Sequence, residues 1–384
     1  MNDPIGDEER ISPIPRQPDG NAFLIHCTGG LRSGQIGKDA WKIEPVLHGG
    51  KPCARGVFSR PQLQAFIARH GFIGIAFQNL GWTDGSFHSS WTPINPTKAN
   101  HFLGPADIWR NISSNLTRER TDAHLRGMTK PNREEIAALL DNRTAAERLA
   151  QSISLSLRSA DISIGQIVDF YQEQLVDLMF SGLLTGQRRS TSLNQTLFAH
   201  VHSFFMHIGS ARDYLAAFLA ASLGKDPEKI DSLVRLKEVL RTENFDASPI
   251  LQLMRTRGFL TQSAAKAAGW EVSGWLREVS DLRNQFVHKR PYGQMYLEKS
   301  GSLRLVDVQL GVYRYFRPII IGENAHSDLL DVVSGHYRQS VMLFEDAAHA
   351  SGLDSSILSI TDKDIISFEL GRNGQPVQKS GTLE

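Results

Sequence analysis

Beyond about residue 130, apolar residues recur at helical spacing for long stretches. Ile164, Ile167, Val168, Tyr171, Leu175 and Leu178 fall on one face of a helix. Leu197, Val201, Phe204, Phe205, Ile208, Leu215 and Leu219 do the same, at about 100° per residue, over a helix predicted to span 192–223 and stop at Gly224. A glycine there suits the left-handed residue that ends many helices. An earlier helix is expected near Pro131, with Asn132 as its cap, Glu134 and Glu135 in its first turn, and Ile136, Leu139 and Leu140 opening its stripe. Further helices are predicted over 226–241, 249–257 and 262–289, the last ending before Pro291. A final one covers 325–350, with Leu329, Val333, Tyr337 and Phe344 on one side.

Residues 21–110 have another texture, rich in Gly, Trp, His and Pro. Short apolar runs at 22–25 and 72–77 are bounded by turn residues and read as strands. One short helix fits between Arg60-Pro61 and Gly71, with proline in the first turn and glycine at the stop. Residues 292–321 alternate, with Ser300-Gly301 between the halves, which predicts a β-hairpin. The expected fold class is therefore α+β: a mostly helical C-terminal bundle with a β-hairpin insert, preceded by a small β-rich or α+β region. The expected division is a flexible arm (1–20), an N-terminal region (21–130), the bundle (131–350, core about 160–350) and a C-terminal tail (351–384).

Composition narrows the function classes. Lys and Arg number 42 against 41 Asp and Glu, a net charge of +1 over 384 residues. That excludes a globally basic nucleic-acid coat protein but leaves room for a local basic cleft. No apolar run approaches the about 18 residues that would span a membrane, and the acidic, proline-rich N-terminus lacks a leader's apolar core. Two cysteines, Cys27 and Cys53, are too few for a disulfide scaffold and fit a reducing cytoplasm. Their spacing to His26 and His48 suits no zinc site, and His200, His202 and His207 lack metal-ligand spacing, so no metal or cofactor is expected. His336 reads as a satisfied core or interface histidine. Trp82, Trp91 and Trp109, with His88 and His101, read as aromatic core. The glycine-rich stretch 29–39 departs from a phosphate loop in spacing and carries Asp39 where Ser or Thr should stand.

Chemistry concentrates before the hairpin. Trp275, Leu276, Val279, Leu282 and Phe286 continue a stripe begun by Val272, and Arg283 falls inside it. A guanidinium on a core face needs a carboxylate, a wet cleft or an interface. Arg212, next to Asp213, lies on the apolar face of the 192–223 helix in the same way, with Asp213, Glu278 or Asp281 as candidate orienting carboxylates. His288 follows Arg283 by five residues, roughly 140° around an α-helix, at a C-terminal end that favours imidazolium. Lys289 and Arg290 complete a cationic cluster beside a side chain suited to proton transfer near neutral pH. A phosphodiester substrate fits that combination.

The string Arg283-Asn284-Gln285-Phe286-Val287-His288, ending a long helix, resembles the signature of the HEPN superfamily of helical-bundle ribonucleases and RNA-binding modules. Residues 210–220 and the hairpin-then-helix that follows also look like the family. A second Arg-to-His spacing, Arg118 to His124, lies outside any strong apolar stripe. The resemblance covers about 160–350 and implies a metal-independent endoribonuclease acting as a homodimer. In that reading His288 acts as general acid or base, Arg283 stabilises charge on the scissile phosphate and Asn284 orients one of them, with Lys289 and Arg290 on substrate phosphates. It further implies RNA as substrate, a toxin or defence effector as the setting, and a regulatory or antitoxin protein as partner. The alternative is a non-catalytic HEPN-like bundle that binds RNA or protein.

Overall fold

Six antiparallel strands open the chain, and the helical region closes over one of their faces. The computed structural model describes residues 21–48, 51–52, 56–83, 86–98, 103–126, 133–182, 185–263, 269–321 and 325–358. Strands β1 (Ala22–Cys27), β2 (Arg32–Gln35), β3 (Trp41–Glu44), β4 (Leu47–His48), β5 (Lys51–Pro52), β6 (Val57–Phe58), β7 (Gly74–Thr83) and β8 (Ser86–Pro93) precede the long helices. The main sheet runs β6-β3-β2-β1-β7-β8. Helix α1 (Arg60–Arg69) begins with Ser59 and Gln62 capping each other and ends before Gly71, at φ +67. Its Leu63 and Phe66 cover part of the sheet's outer face, meeting Ile25, Trp41 and Ile43 in a small core.

Eight more helices and the short segments between them build the main core, and a tenth closes it. They are α2 (Pro105–Leu125), α3 (Arg133–Asp141), α4 (Ala145–Phe180), α5 (Asn194–Ser222), α6 (Leu233–Val239), α7 (Thr242–Ala247), α8 (Pro249–Thr256), α9 (Gly274–Asn284) and α10 (Leu329–Ala350). Thr144 caps α4 by accepting from the Glu147 amide. The 36 residues of α4 make a rod about 54 Å long, at about 1.5 Å per residue. Helices α4 and α5 pair antiparallel, with Ser163 Oγ donating to Ser203 Oγ at 3.1 Å. All the apolar positions assigned to the two central stripes are buried.

The inner face of the sheet docks on this core through polar contacts. Arg32 pairs with Asp169 of α4, and Trp91 Nε1 donates to the Tyr337 hydroxyl at 3.0 Å. Gly30, at φ +83, lies so near the Tyr171 carbonyl that a Cβ would come within 2.5 Å of it. The glycine-rich stretch thus serves a close approach of backbones.

Several elements depart from the sequence reading, each for a local reason. Residues up to 130 are expected in the N-terminal region, but α2 belongs to the main core: Trp109 is fully buried there and donates to the Phe344 carbonyl at 2.9 Å. The predicted helix over 262–289 is instead a strand pair, Leu260–Gln262 with Trp270–Val272, followed by α9. Gly274 at φ +54 and an extended Ser273 separate strand from helix. Residues 226–241 divide into a 3-10 turn, Pro227–Lys229, and α6.

The hairpin forms, but between Gly301–Asp307 and Val312–Phe316, turning near Gly311. Gly301 opens the first strand because the Tyr315 ring leaves no room for a Cβ. Residues Ala325–Asp328 form a strand before α10, and the Asp328 carboxylate caps that helix at Leu330 N. Residues 351–358 return to α2, where Asn115 Nδ2 donates to the carbonyls of Asp354 and Ser356 at 3.0 Å. The predicted cap Asn132 and the arm 1–20 lie outside the described residues.

Candidate functional site

Two arginines on facing helices share one carboxylate. Helix α5 runs beside α9, and Arg212 is buried between them. Its Nε and Nη2 donate to Asp213 Oδ1 at 3.2 and 3.0 Å, and Nη1 donates to Ser280 Oγ. Arg283 approaches the other oxygen, Oδ2, at 3.7 Å. That is an ion pair too long for a hydrogen bond. Burial raises the Asp213 pKa, and the Arg212 and then the Arg283 charge oppose that rise.

The approach of Arg283 to α5 depends on Gly209. A Cβ there would stand 2.7 Å from Arg283 Cδ and 2.9 Å from its Nε. Arg283 Nε is buried with no hydrogen-bond partner among the described residues. The guanidinium is therefore fixed by packing while most of its five donors stay unengaged. Arg212 differs, since its donors are taken by Asp213 and Ser280.

The helix changes winding after Asn284, one residue beyond Arg283. Residues Gln285–Lys289 form a π turn, closed by Arg290 N donating to Gln285 O at 2.7 Å. Such turns occur mostly as single insertions and are frequent at functional sites. The wider ring lowers the angle between Arg283 and His288 below its α-helical value. Phe286 points inward and packs against Phe205 at 5.2 Å. Asn284, His288 and Lys289 are exposed. The unpaired carbonyls of the last turn face this end and favour positive charge beside them.

Arg290 is committed elsewhere, donating from Nη2 to the Ile320 carbonyl. Immediately beyond it, His202 Nε2 accepts the Tyr292 amide at 2.9 Å. This fixes the chain as it leaves the helix, and burial lowers the His202 pKa. A cavity of about 680 Å³ adjoins this exit, lined in part by Ser190, Asn194, Phe198, Tyr292 and Lys299.

Of the candidate carboxylates, only Asp213 reaches the arginines. Glu278 is exposed, and Asp281 lies 4.0 Å from Arg277 on the same helix. Both line a cavity of about 1020 Å³ on the other side of α9, with Asp331 and His336. There His336 Nδ1 accepts from Trp275 Nε1 at 3.0 Å, and burial lowers its pKa to about 4. The carboxylates make that larger cavity unfavourable for a polyanion, whereas the Arg283–Lys289 end is cationic.

Other predicted groups are dispersed. Cys27 is buried, its thiol pushed up to about 12 by burial, and Cys53 and His101 lie outside the described residues. Among the described residues no cluster of three His, Cys, Asp or Glu side chains could hold a metal ion. No helix among them is long and apolar enough to cross a membrane. Sequence reasoning missed Gly209, Ser280 and the π turn. A glycine inside a helical pattern was the one available signal. Comparison of the chain with family models, curated proteins and solved structures finds no match.

Proposed function

We propose that the chain is a metal-independent endoribonuclease of the HEPN type, with Arg283 and His288 at its centre. One observation carries the reading: Arg283 is held against Gly209 beside Asp213 with its donors largely unengaged, and an exposed histidine follows on a π turn. Arg212, by contrast, engages Nε, Nη1 and Nη2 with Asp213 and Ser280.

The chemistry follows from those groups. The 2′-hydroxyl attacks the adjacent phosphorus, forming the O2′–P bond as the P–O5′ bond breaks. A base takes the 2′ proton and an acid gives one to the leaving 5′-oxygen. Arg283 stabilises charge gathering on the phosphoryl oxygens, Lys289 meets a neighbouring phosphate, and Asn284 orients the substrate or His288. Products are a 2′,3′-cyclic phosphate and a 5′-hydroxyl. A homodimer supplies a second histidine, so one takes the proton and the other gives it. The apolar side chains Leu155 and Ile162 of α4, Met206 and Tyr214 of α5, and Val287 are exposed on or beside these helices and support a bundle-to-bundle interface.

The test is incubation of total RNA with the protein in EDTA. Cleavage with cyclic-phosphate ends is expected; no cleavage at any protein concentration would leave a binding bundle. A second test uses Gly209→Ala. Alanine in place of glycine inside a helix stabilises by up to about 1 kcal/mol, so the protein should fold. Displacement of Arg283 should nonetheless lower the cleavage rate about tenfold, a loss equivalent to about 1.4 kcal/mol. An unchanged rate would show that the position of Arg283 does not matter to the reaction.

A further inference from the structure

The outer face of the N-terminal sheet holds a second site. Strand register places Trp41, Gln35, Phe23, Asn79 and Ser90 in one row across β3, β2, β1, β7 and β8. The next row, Ile43, Ser33, Ile25, Phe77 and Thr92, lies on the same face, and its apolar members pack with α1. Helix α1 covers Trp41 at one end of the first row and leaves Phe23 open. What remains is a ledge around Phe23 inside a cavity of about 870 Å³, lined also by Arg60 and Gln64 of α1 and by residues 94–98. Phe23 is 37% exposed there, while Ile25 and Trp41 on the same face are each 7% exposed.

The ledge pairs an aromatic floor with amides and cations. The Gln35 amide is fixed by donating from Nε2 to Lys38 O at 3.0 Å, and Asn79 stands directly across from Phe23. Lys38 and Arg60 stand at the rim with one carboxylate, Asp39. Lys98 also lines the cavity but is held by the buried Glu345 at 2.5 Å. An exposed ring in a strand is a stacking platform for an unpaired base, flanking amides read base edges, and a few cations meet the backbone.

The charge decides between ligands. A free nucleoside triphosphate carries several charges in one place and needs a dense cradle of amides or cations. Two rim cations beside a carboxylate suit the single charge per nucleotide of a strand. Bases inside a duplex cannot reach Phe23 at all.

We propose that this ledge binds single-stranded RNA, stacking a base on Phe23 between Gln35 and Asn79, with Lys38 and Arg60 on the flanking phosphates. This rests on the reading of the chain as an RNA-cutting protein and assigns its N-terminal region to substrate capture.

The experiment is fluorescence anisotropy of a labelled single-stranded 2′-O-methyl oligoribonucleotide, which cannot be cut by 2′-hydroxyl attack, with the full chain. Phe23→Ala should weaken binding about tenfold, within the range of one lost base–aromatic stack. The paired reversal Lys38→Glu, Arg60→Glu should weaken it as well and flatten its salt dependence. The pair also serves if Phe23→Ala unfolds, as judged by circular dichroism. Wild-type affinity in folded forms of these variants would overturn the proposal, as would no binding by the wild type. Displacement by ATP or by an RNA duplex as readily as by the unlabelled strand would overturn it too. Phe23-dependent binding without any cleavage would sink the nuclease reading alone; cleavage with binding indifferent to Phe23 would sink the ledge alone.

Discussion

His288→Ala should lower RNA cleavage by roughly 100- to 10,000-fold, the usual contribution of a positioned general acid or base. The imidazole is exposed at the end of α9, on the π turn, and has no hydrogen-bond partner among the described residues. Alanine removes no packing there and keeps helix propensity, so stability should stay within about 0.5 kcal/mol of wild type. Rate and fold are thereby separated. The measurement compares cleavage of a single-stranded RNA in EDTA by the two proteins, with urea unfolding of each as control. Equal cleavage by both would place the activity at another site or in a contaminant. A fall in rate matched by loss of folded protein would make His288 a structural residue, which its exposure argues against.

What the sequence made legible was the part governed by periodicity. The stripes of α4, α5 and α10 are buried at the assigned positions, and the burial of Arg212 followed from its place on one of them. Three features escaped because they depend on contacts distant in the chain. Gly301 resembled a turn residue, but its constraint comes from the Tyr315 ring. Trp109 read as part of an N-terminal aromatic cluster because its partners, Phe218 and the Phe344 carbonyl, lie far along the sequence. The apolar pattern from 260 to 289 hid two short strands, since Val272 packs half-buried against the core from a strand facing Leu260, as it could from a helix. At the site, the spacing of Arg283 and His288 could be read directly. The choice of Asp213 over Glu278 and Asp281 could not, because it depends on which side of α9 meets α5. Helix α9 presents Ser280 and Arg283 to α5, and turns Glu278 and Asp281 toward the cavity beside α10.

That geometry makes Asp213 and Arg283 behave oppositely when removed. Asp213→Ala should destabilise the protein by about 3 kcal/mol, the low end for a buried pair losing one partner. It leaves Arg212, at 8% side-chain exposure, with only Ser280 Oγ to meet its charge. The low end applies because Asp213 itself is 19% exposed and water can partly replace it. Arg283→Ala removes a side chain that is 31% exposed and 3.7 Å from the carboxylate, and Asp213 keeps both hydrogen bonds from Arg212. Its cost to stability should stay under about 1 kcal/mol, as for other solvent-screened pairs, while cleavage falls by roughly 100-fold or more, the scale of losing one transition-state charge donor. Urea unfolding and cleavage rates of the two variants, measured side by side, check both halves. If Arg283→Ala destabilised as much as Asp213→Ala, Arg283 would be a third member of a structural ion network, and the bundle would be a scaffold with no phosphate site at this helix end. A stable Arg283→Ala that no longer cuts RNA would leave catalysis as the reason a guanidinium stands on this face with its donors unspent.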